Sequence, residues 1–298
     1  MDRHIPVLTD KIIDKLKLES GDNVVDCTVG DGGHSEEMLK EIAPGGQLLA
    51  IDADPESLNR AKDYLKDYQQ RTTFVRENFS NLEQVVKTEN FGDISAVVMD
   101  LGWSSSQLEM GKGFSFDKEE PLDMRYSREG KTAADLINDL SQRKLEFIFR
   151  RFAEEDFSEE IAKCIIEKRE QKKIDTTKQL RDIILEVYRE QLGSDKDEPW
   201  VGGRDPATKV FQALRIATNK ELQALRKALP QVLNILKKQG RMAVISFHSL
   251  EDRIVKHFLK DHKDELNTDS DNPITPTDGE LNNNPRSRSA KLRVAQKL

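Results

Sequence analysis

An α/β fold, a Rossmann-like parallel sheet interrupted by an all-helical insertion, follows from three features of this 298-residue sequence. Short β-branched apolar runs alternate with helix-period segments over the first hundred residues. A long strand-free stretch follows, and then the α/β rhythm returns. The runs at Val24–Thr28, Gln47–Asp52, Thr72–Val75 and Ile94–Leu101 are continuous in hydrophobicity rather than alternating with polar residues, as expected of parallel strands covered on both faces. Between them, Ser35–Ile42, Pro55–Tyr68 and Asn81–Thr88 carry helical spacing. Asp54-Pro55 supplies an acidic cap followed by proline at the first helical position.

From about Met110 to Pro206 only helical periods are legible: Ala133, Leu136, Ile137; Leu145, Ile148, Phe149, Phe152; Ile161, Ile165, Ile166; Leu180, Ile183, Ile184, Val187. The expected division is therefore 1–109 with 206–298 for the sheet domain and 110–205 for the insertion. Gly193–Arg204 reads as the exit loop. Leu214 to Leu236 predicts a long helix, kinked or broken at Pro230 and closed by Gly240. Met242–Phe247 predicts a buried strand, Ser249–Leu259 a helix, Asn267–Asn284 a flexible loop and Ala290–Val294 an edge strand.

Composition sets the boundaries of function. With 36% hydrophobic and 34% charged residues the chain reads as a soluble globular protein. It has no apolar run of about 20 residues, nor the features of a secretory or transit leader, so the cytoplasm is the expected compartment and no membrane partner is expected. Cys27 and Cys164 lack metal-ligand spacing. A net charge of -7 disfavours a non-specific nucleic-acid binder. The tail from Pro285 nevertheless holds Arg286, Arg288, Lys291, Arg293 and Lys297 and no acid.

Chemistry concentrates at strand tips. The first strand ends in Asp26-Cys27-Thr28-Val29-Gly30-Asp31-Gly32-Gly33-His34, where glycines allow close backbone approach to a ligand and the helix aims N–H groups at it. Asp52, at the second strand end, stands where a carboxylate accepts ribose hydroxyls. The third glycine of a dinucleotide fingerprint is absent, and Asp31 would oppose a pyrophosphate. Asp26 and Asp31 suit a cationic sulfonium and amino group, although capping of the helix start explains them as well. S-adenosyl-L-methionine is thus the expected cofactor and methyl transfer the expected reaction. The fourth strand ends in Asp100-Leu101-Gly102-Trp103-Ser104-Ser105-Ser106-Gln107, which should face the reacting methyl unless the loop is merely capped. Trp103 offers a ring to a base or to the core. His248 and Asp252 lack a third ligand, so no metal is expected; Glu251, Asp252, Arg253 and Lys256 read as a surface ion-pair network.

The sequence resembles the bacterial 16S rRNA (cytosine-N4)-methyltransferase family, on stretches running in order along nearly the whole chain. They are HIPVL (4–8), GDGGHS (30–35), the Asp52 strand end, NFSNL (78–82), DLGWSSSQL (100–108), GFSF (113–116), PLDMR (121–125), TAADLIN (132–138), FQALRI (211–216), ISFHSLEDRIVK (245–256) and NPRSRSAKLR (284–293). Ser106, Trp103, Lys112 and Ala153 depart from the residues commoner there. The resemblance implies a class I methyltransferase sheet with a helical insertion that recognises RNA. It implies cofactor contacts at Gly32, Gly33, His34, Asp52, Phe79, Asp100 and Gln107. The implied substrate is a decoding-centre cytidine of 16S rRNA in the small ribosomal subunit, with a homodimer left open. Asp100 is the candidate catalytic carboxylate, and the insertion with Arg286, Arg288 and Arg293 forms the candidate RNA-holding surfaces. A dinucleotide oxidoreductase, a non-catalytic ribosome-assembly factor and a methyltransferase of another RNA or a protein are the competing readings.

Overall fold

Successive residues of a strand face opposite ways, and in these apolar runs both faces find a core. The computed structural model describes residues 5–193 and 205–298, apart from the side chains of Ser105 and Glu109. In it the runs become β1 (Asn23–Asp26), β2 (Leu48–Asp52), β3 (Thr72–Arg76) and β4 (Ile94–Asp100). Val25, Leu49, Ile51, Val97 and Met99 enter one core, under α4 (Leu82–Thr88), α11 (Glu221–Ile235) and α12 (Ser249–Asp261). Val24, Leu48, Ala50, Ala96 and Val98 enter the other, under α1 (Thr9–Leu16), α2 (Gly33–Glu41) and α3 (Pro55–Tyr64). Fully buried Ile12, Met38, Leu39 and Ile42 seat α1 and α2, each contributing about 1.5–3 kcal/mol.

The sheet order is β3-β2-β1-β4-β5-β7-β6. β5 (Leu236–Ser246) runs parallel to β4, β7 (Lys291–Lys297) runs antiparallel to β5, and β6 (Leu266–Asn267) pairs with β7. The carboxyl ends of β1, β2 and β4 consequently lie along one rim, where open parallel sheets bind ligands. The last strand is thus interior to the sheet, not an edge, because the two-residue β6 covers its outer side. Asp54 caps α3 by accepting the Glu56 N–H at 3.0 Å, with Pro55 behind it. The helix expected to reach Tyr68 ends at Tyr64 and tightens into a 3-10 turn at Lys66–Arg71.

Three further expectations are corrected. The long helix breaks at Lys220 (φ +52°), while Pro230 lies inside α11, where burial of Leu229, Val232 and Leu233 holds the helix through the missing N–H. Gly240 belongs to β5: a Cβ there would meet Lys237 O at 2.9 Å and Ile94 O at 3.2 Å, beside a register irregularity between Ile94 and Ala96. The stretch read as a flexible loop starts at the last residue of β6 and contains α13 (Asp278–Asn283), which is capped by Thr277.

The chain divides into two compact units, residues up to 106 with 222–298, and 107–221. The helical unit holds α6 (Ala133–Asp139), α7 (Gln142–Ala153), α8 (Ser158–Gln171), α9 (Thr177–Leu192) and α10 (Ala207–Asn219), after the short α5 (Ser105–Glu109). Leu145, Phe149, Ile161, Ile165, Leu180 and Ile184 form its core together with Val210, Phe211 and Leu214. Those last residues carry α10 into the helical unit, so the expected boundary at 205/206 moves to 221/222 and that at 109/110 to 106/107. Among the described residues the helical unit has only an isolated bridge, Pro121 to Thr176, outside its helices. Arg125 of PLDMR pins its own loop, donating to both Asp123 oxygens and to the Arg128 and Gly130 carbonyls. Gly193 (φ +57°) caps α9; the remainder of the expected exit loop, to Arg204, lies outside the described residues.

Candidate functional site

Asp26 ends β1 almost wholly buried, so its oxygens need donors. They find the Ser35 hydroxyl at 2.7 Å and the Thr28 N–H at 3.1 Å. Thr28 Oγ1 in turn accepts the Asp100 N–H at 2.7 Å, tying the tip of β4 to the glycine loop. Asp52 completes the rim: its carboxylate accepts the Gly30 N–H at 2.9 Å and the Asp54 N–H at 2.8 Å. Gly30 (φ +55°) and Gly32 (φ +89°) take left-handed conformations that side chains resist. A Cβ on Gly33 would stand 2.9 Å from Pro6 Cγ. The loop is therefore built for glycine twice over, by dihedral and by contact.

The rim is acidic and its charges interact. Burial pushes the Asp52 carboxyl up to about 7, against the lowering effect of its two N–H donors. Burial likewise raises Asp26 despite the Ser35 hydroxyl. For His34, burial works to lower the pKa, but the Asp100 carboxylate, with help from Asp26, outweighs it and raises the pKa above the ordinary histidine value. His34 Nε2 stands 3.5 Å from Asp100 Oδ2, an ion-pair distance rather than a formed hydrogen bond. Its Nδ1 is 3.5 Å from the Thr9 hydroxyl. Four buried polar atoms in this unit lack a hydrogen-bond partner among the described residues: Asp100 Oδ1, His34 Nε2, Ser246 Oγ at the end of β5, and His248 Nε2 at the start of α12.

Gly32, Gly33, His34, Asp52 and Asp100 are thus brought together at the strand tips. Phe79 opens a 3-10 turn just past β3, half-buried, where Glu77 N–H bonds to Asp52 O. Gln107 is buried on α5 and belongs to the helical unit. Trp103 is an exposed loop residue, not a core one.

Asp31, read as a cofactor-facing acid, is committed elsewhere: Arg60 Nε donates to one oxygen at 2.7 Å and Ser106 Oγ to the other at 2.5 Å. Asp26 is an internal anchor for the same reason. The expected surface network at 251–256 is also corrected. Glu251 is buried and reciprocally caps α12 with His248, while Asp252 pairs with Arg293 at 2.7 Å. Arg293 is itself buried by that pair, so it leaves the RNA-holding set, and Lys297 Nζ binds the Leu233 and Leu236 carbonyls. Arg286 and Arg288 remain exposed. Thr28, Thr9 and Ser35 organise the site and were not singled out in the sequence; short hydroxyl residues flanking a glycine loop were the available signal.

An orphan carboxylate oxygen on Asp100, the Asp52 carboxylate at the tip of β2 and left-handed glycines beside them fit a cationic nucleoside. Arg60, the cation that bonds to this loop, is neutralised by Asp31, so a pyrophosphate is poorly served.

The family model described as the MraW methylase family matches residues 1–298. "Ribosomal RNA small subunit methyltransferase H" of Sulfurihydrogenibium sp. is 41% identical over 301 residues, covering 100% of both chains. The protein of the same name from Dehalococcoides mccartyi is 42% identical over 318 residues, covering 99% of this chain and 86% of its own length. A solved rRNA methylase from Streptococcus thermophilus aligns over 99% of each chain with a TM-score of 0.48 at 12% identity.

Proposed function

The chain belongs to the MraW methylase family, and from that premise we propose that it methylates N4 of a P-site cytidine in the decoding centre of 16S rRNA. It is a methyltransferase that uses S-adenosylmethionine, and its substrate class is ribosomal RNA; its relatives at about 40% identity are named for the small subunit, which supports that part of the proposal. The nucleotide, the atom and the residue roles below are the proposal, and the orphan Asp100 Oδ1 beside a protonatable His34 is the observation that carries it.

S-adenosylmethionine supplies a methyl group made electrophilic by its sulfonium. Asp52 would accept the ribose hydroxyls, Phe79 would flank the adenine, and the Gly32–His34 turn would hold the rest. Asp100 has a different task. A cytosine exocyclic amine is a poor nucleophile because its lone pair is delocalised into the ring. A carboxylate accepting one of its N–H bonds returns electron density to the nitrogen and receives the proton released as the N–C bond forms. His34, held near Thr9, stands 3.5 Å from Asp100 Oδ2 and would keep that carboxylate aimed. The base must leave any stack to reach this position.

Mass-spectrometric mapping of 16S rRNA from cells lacking the gene tests the assignment. Loss of an N4-methyl mark on a P-site cytidine, restored by the wild-type gene, is the expected result. Unchanged 16S cytidine modification refutes it.

A further inference from the structure

α7 buries Leu145, Ile148 and Phe149 in the helical core and turns Arg143, Lys144, Phe147, Arg150 and Arg151 outward. Phe147 is 61% exposed. Its one ring neighbour among the described residues is Phe152, edge-on with centroids 6.4 Å apart. In a chain of net charge -7, the twelve residues of α7 carry four cations and a single acid, Glu146, which is paired with Arg150 at 3.0 Å. Arg143, Lys144 and Arg151 have no carboxylate partner among the described residues. Positions 143, 147 and 151 are four apart, so they line up on one face over about 12 Å of helix.

A solvated helix face explains the cations but not the ring. An exposed phenylalanine set among unpaired cations has one natural complement: an unstacked nucleobase with phosphates on either side. Bases of any sequence stack on an aromatic face, and Arg and Lys neutralise the backbone beside them. We propose that the outer face of α7 is a platform for single-stranded RNA, with Phe147 stacking on an unpaired base and Arg143, Lys144 and Arg151 neutralising adjacent phosphates. The proposal rests on the rRNA methyltransferase reading and assigns part of its substrate-holding surface.

The test is fluorescence anisotropy of the full-length protein with a labelled, unstructured RNA of about 20 nucleotides, long enough to span a binding groove. Phe147→Ala should weaken binding about tenfold, Phe147→Trp should retain wild-type affinity, and both should leave S-adenosylhomocysteine affinity and thermal unfolding unchanged. Replacing Arg143, Lys144 and Arg151 together by alanine should lower the slope of log K against log salt by about two, at roughly 0.7 per phosphate contact. If the wild-type protein methylates rRNA while all three variants match its RNA affinity and salt slope, the platform is overturned and the methyltransferase reading stands. It is equally overturned if Phe147→Ala changes only the sedimentation behaviour, which would assign the face to a second copy of the chain. Failure of the wild-type protein to bind or methylate rRNA at all would overturn the parent reading.

Discussion

If Asp52 holds the cofactor ribose as proposed, lowering the pH from 8 to 6 should weaken cofactor binding about tenfold, because a carboxylate must be ionised to accept two hydroxyls. The cause is the burial of Asp52, which pushes its carboxyl up to about 7 in the cofactor-free protein. The neighbouring carboxylates of Asp54 and Asp26 add to that effect, and the Asp54 and Gly30 N–H groups oppose it. If only the ionised form binds, the apparent Kd scales as 1 + 10^(pKa − pH), which is about 1.1 at pH 8 and about 11 at pH 6. The ratio corresponds to about 1.4 kcal/mol. Isothermal titration with S-adenosylhomocysteine in buffers of different ionisation enthalpy reads the linked event directly: about 0.9 proton released per binding at pH 6 and about 0.1 at pH 8. Asp52→Asn should bind more weakly at every pH and lose this dependence. One amide oxygen cannot replace two carboxylate oxygens in holding the Gly30 and Asp54 N–H groups at 2.9 and 2.8 Å. His34 also titrates above its ordinary value in this site, and the Asp52→Asn profile separates the two groups. A wild-type Kd constant within twofold from pH 8 to 6, or an undiminished slope in Asp52→Asn, would refute the reasoning. The stability of the cofactor-free protein has the opposite sign. A carboxyl whose pKa is raised on folding favours the fold below its unfolded value of 3.8, and that contribution is lost as pH rises through about 7.

Asp100→Asn should reduce the single-turnover methylation rate by about 10²-fold; a wild-type rate would exclude Asp100 from the chemistry. His34→Gln, which keeps a polar group near Thr9, should lower kcat more than it raises the cofactor KM, and should shift the acid limb of the kcat profile; parallel changes in both would mean that His34 only binds. Gly33→Ala should destabilise the fold by about 1–3 kcal/mol in urea denaturation, since its methyl would stand 2.9 Å from Pro6 Cγ, and wild-type stability would show that the amino-terminal segment yields freely. Arg293→Ala should cost about 3 kcal/mol by leaving Asp252, among the described residues, with Lys291 as its one cation, 3.6 Å away; a loss below about 1 kcal/mol, the scale of an exposed pair, would mean that Asp252 is already well solvated.

The parallel strands were legible because each carries its own pattern. Val24-Val25, Leu48-Leu49 and Ala96-Val97 send consecutive apolar residues to opposite cores, and only a strand covered on both sides requires that. The glycine loop and Asp52 were legible for a similar reason: backbone conformation and strand-tip position are local properties. Most of the helical insertion could be read because its apolar residues repeat at helical spacing. α10 showed the same spacing and was placed with the wrong unit, since periodicity reveals that a helix has an apolar face but not which core receives it. Pro230 and Gly240 misled in the same way, their local preferences being overridden by burial and by a close approach to Ile94.

Sequence alone thus determined the α/β class, the helical interruption and the glycine-and-carboxylate rim. Each of these is written in residues close together along the chain. Tertiary structure decided which charges are free. Arg60 reaches Asp31 across 29 positions and Arg293 reaches Asp252 across 41, removing an acid from the site and a cation from the basic tail. The physical reason is that a charged side chain's role depends on who neutralises it, and its partner is chosen by the packing of distant elements. Asp100 keeps an uncommitted oxygen because the fold brings it His34 on one side and, among the described residues, no donor on the other.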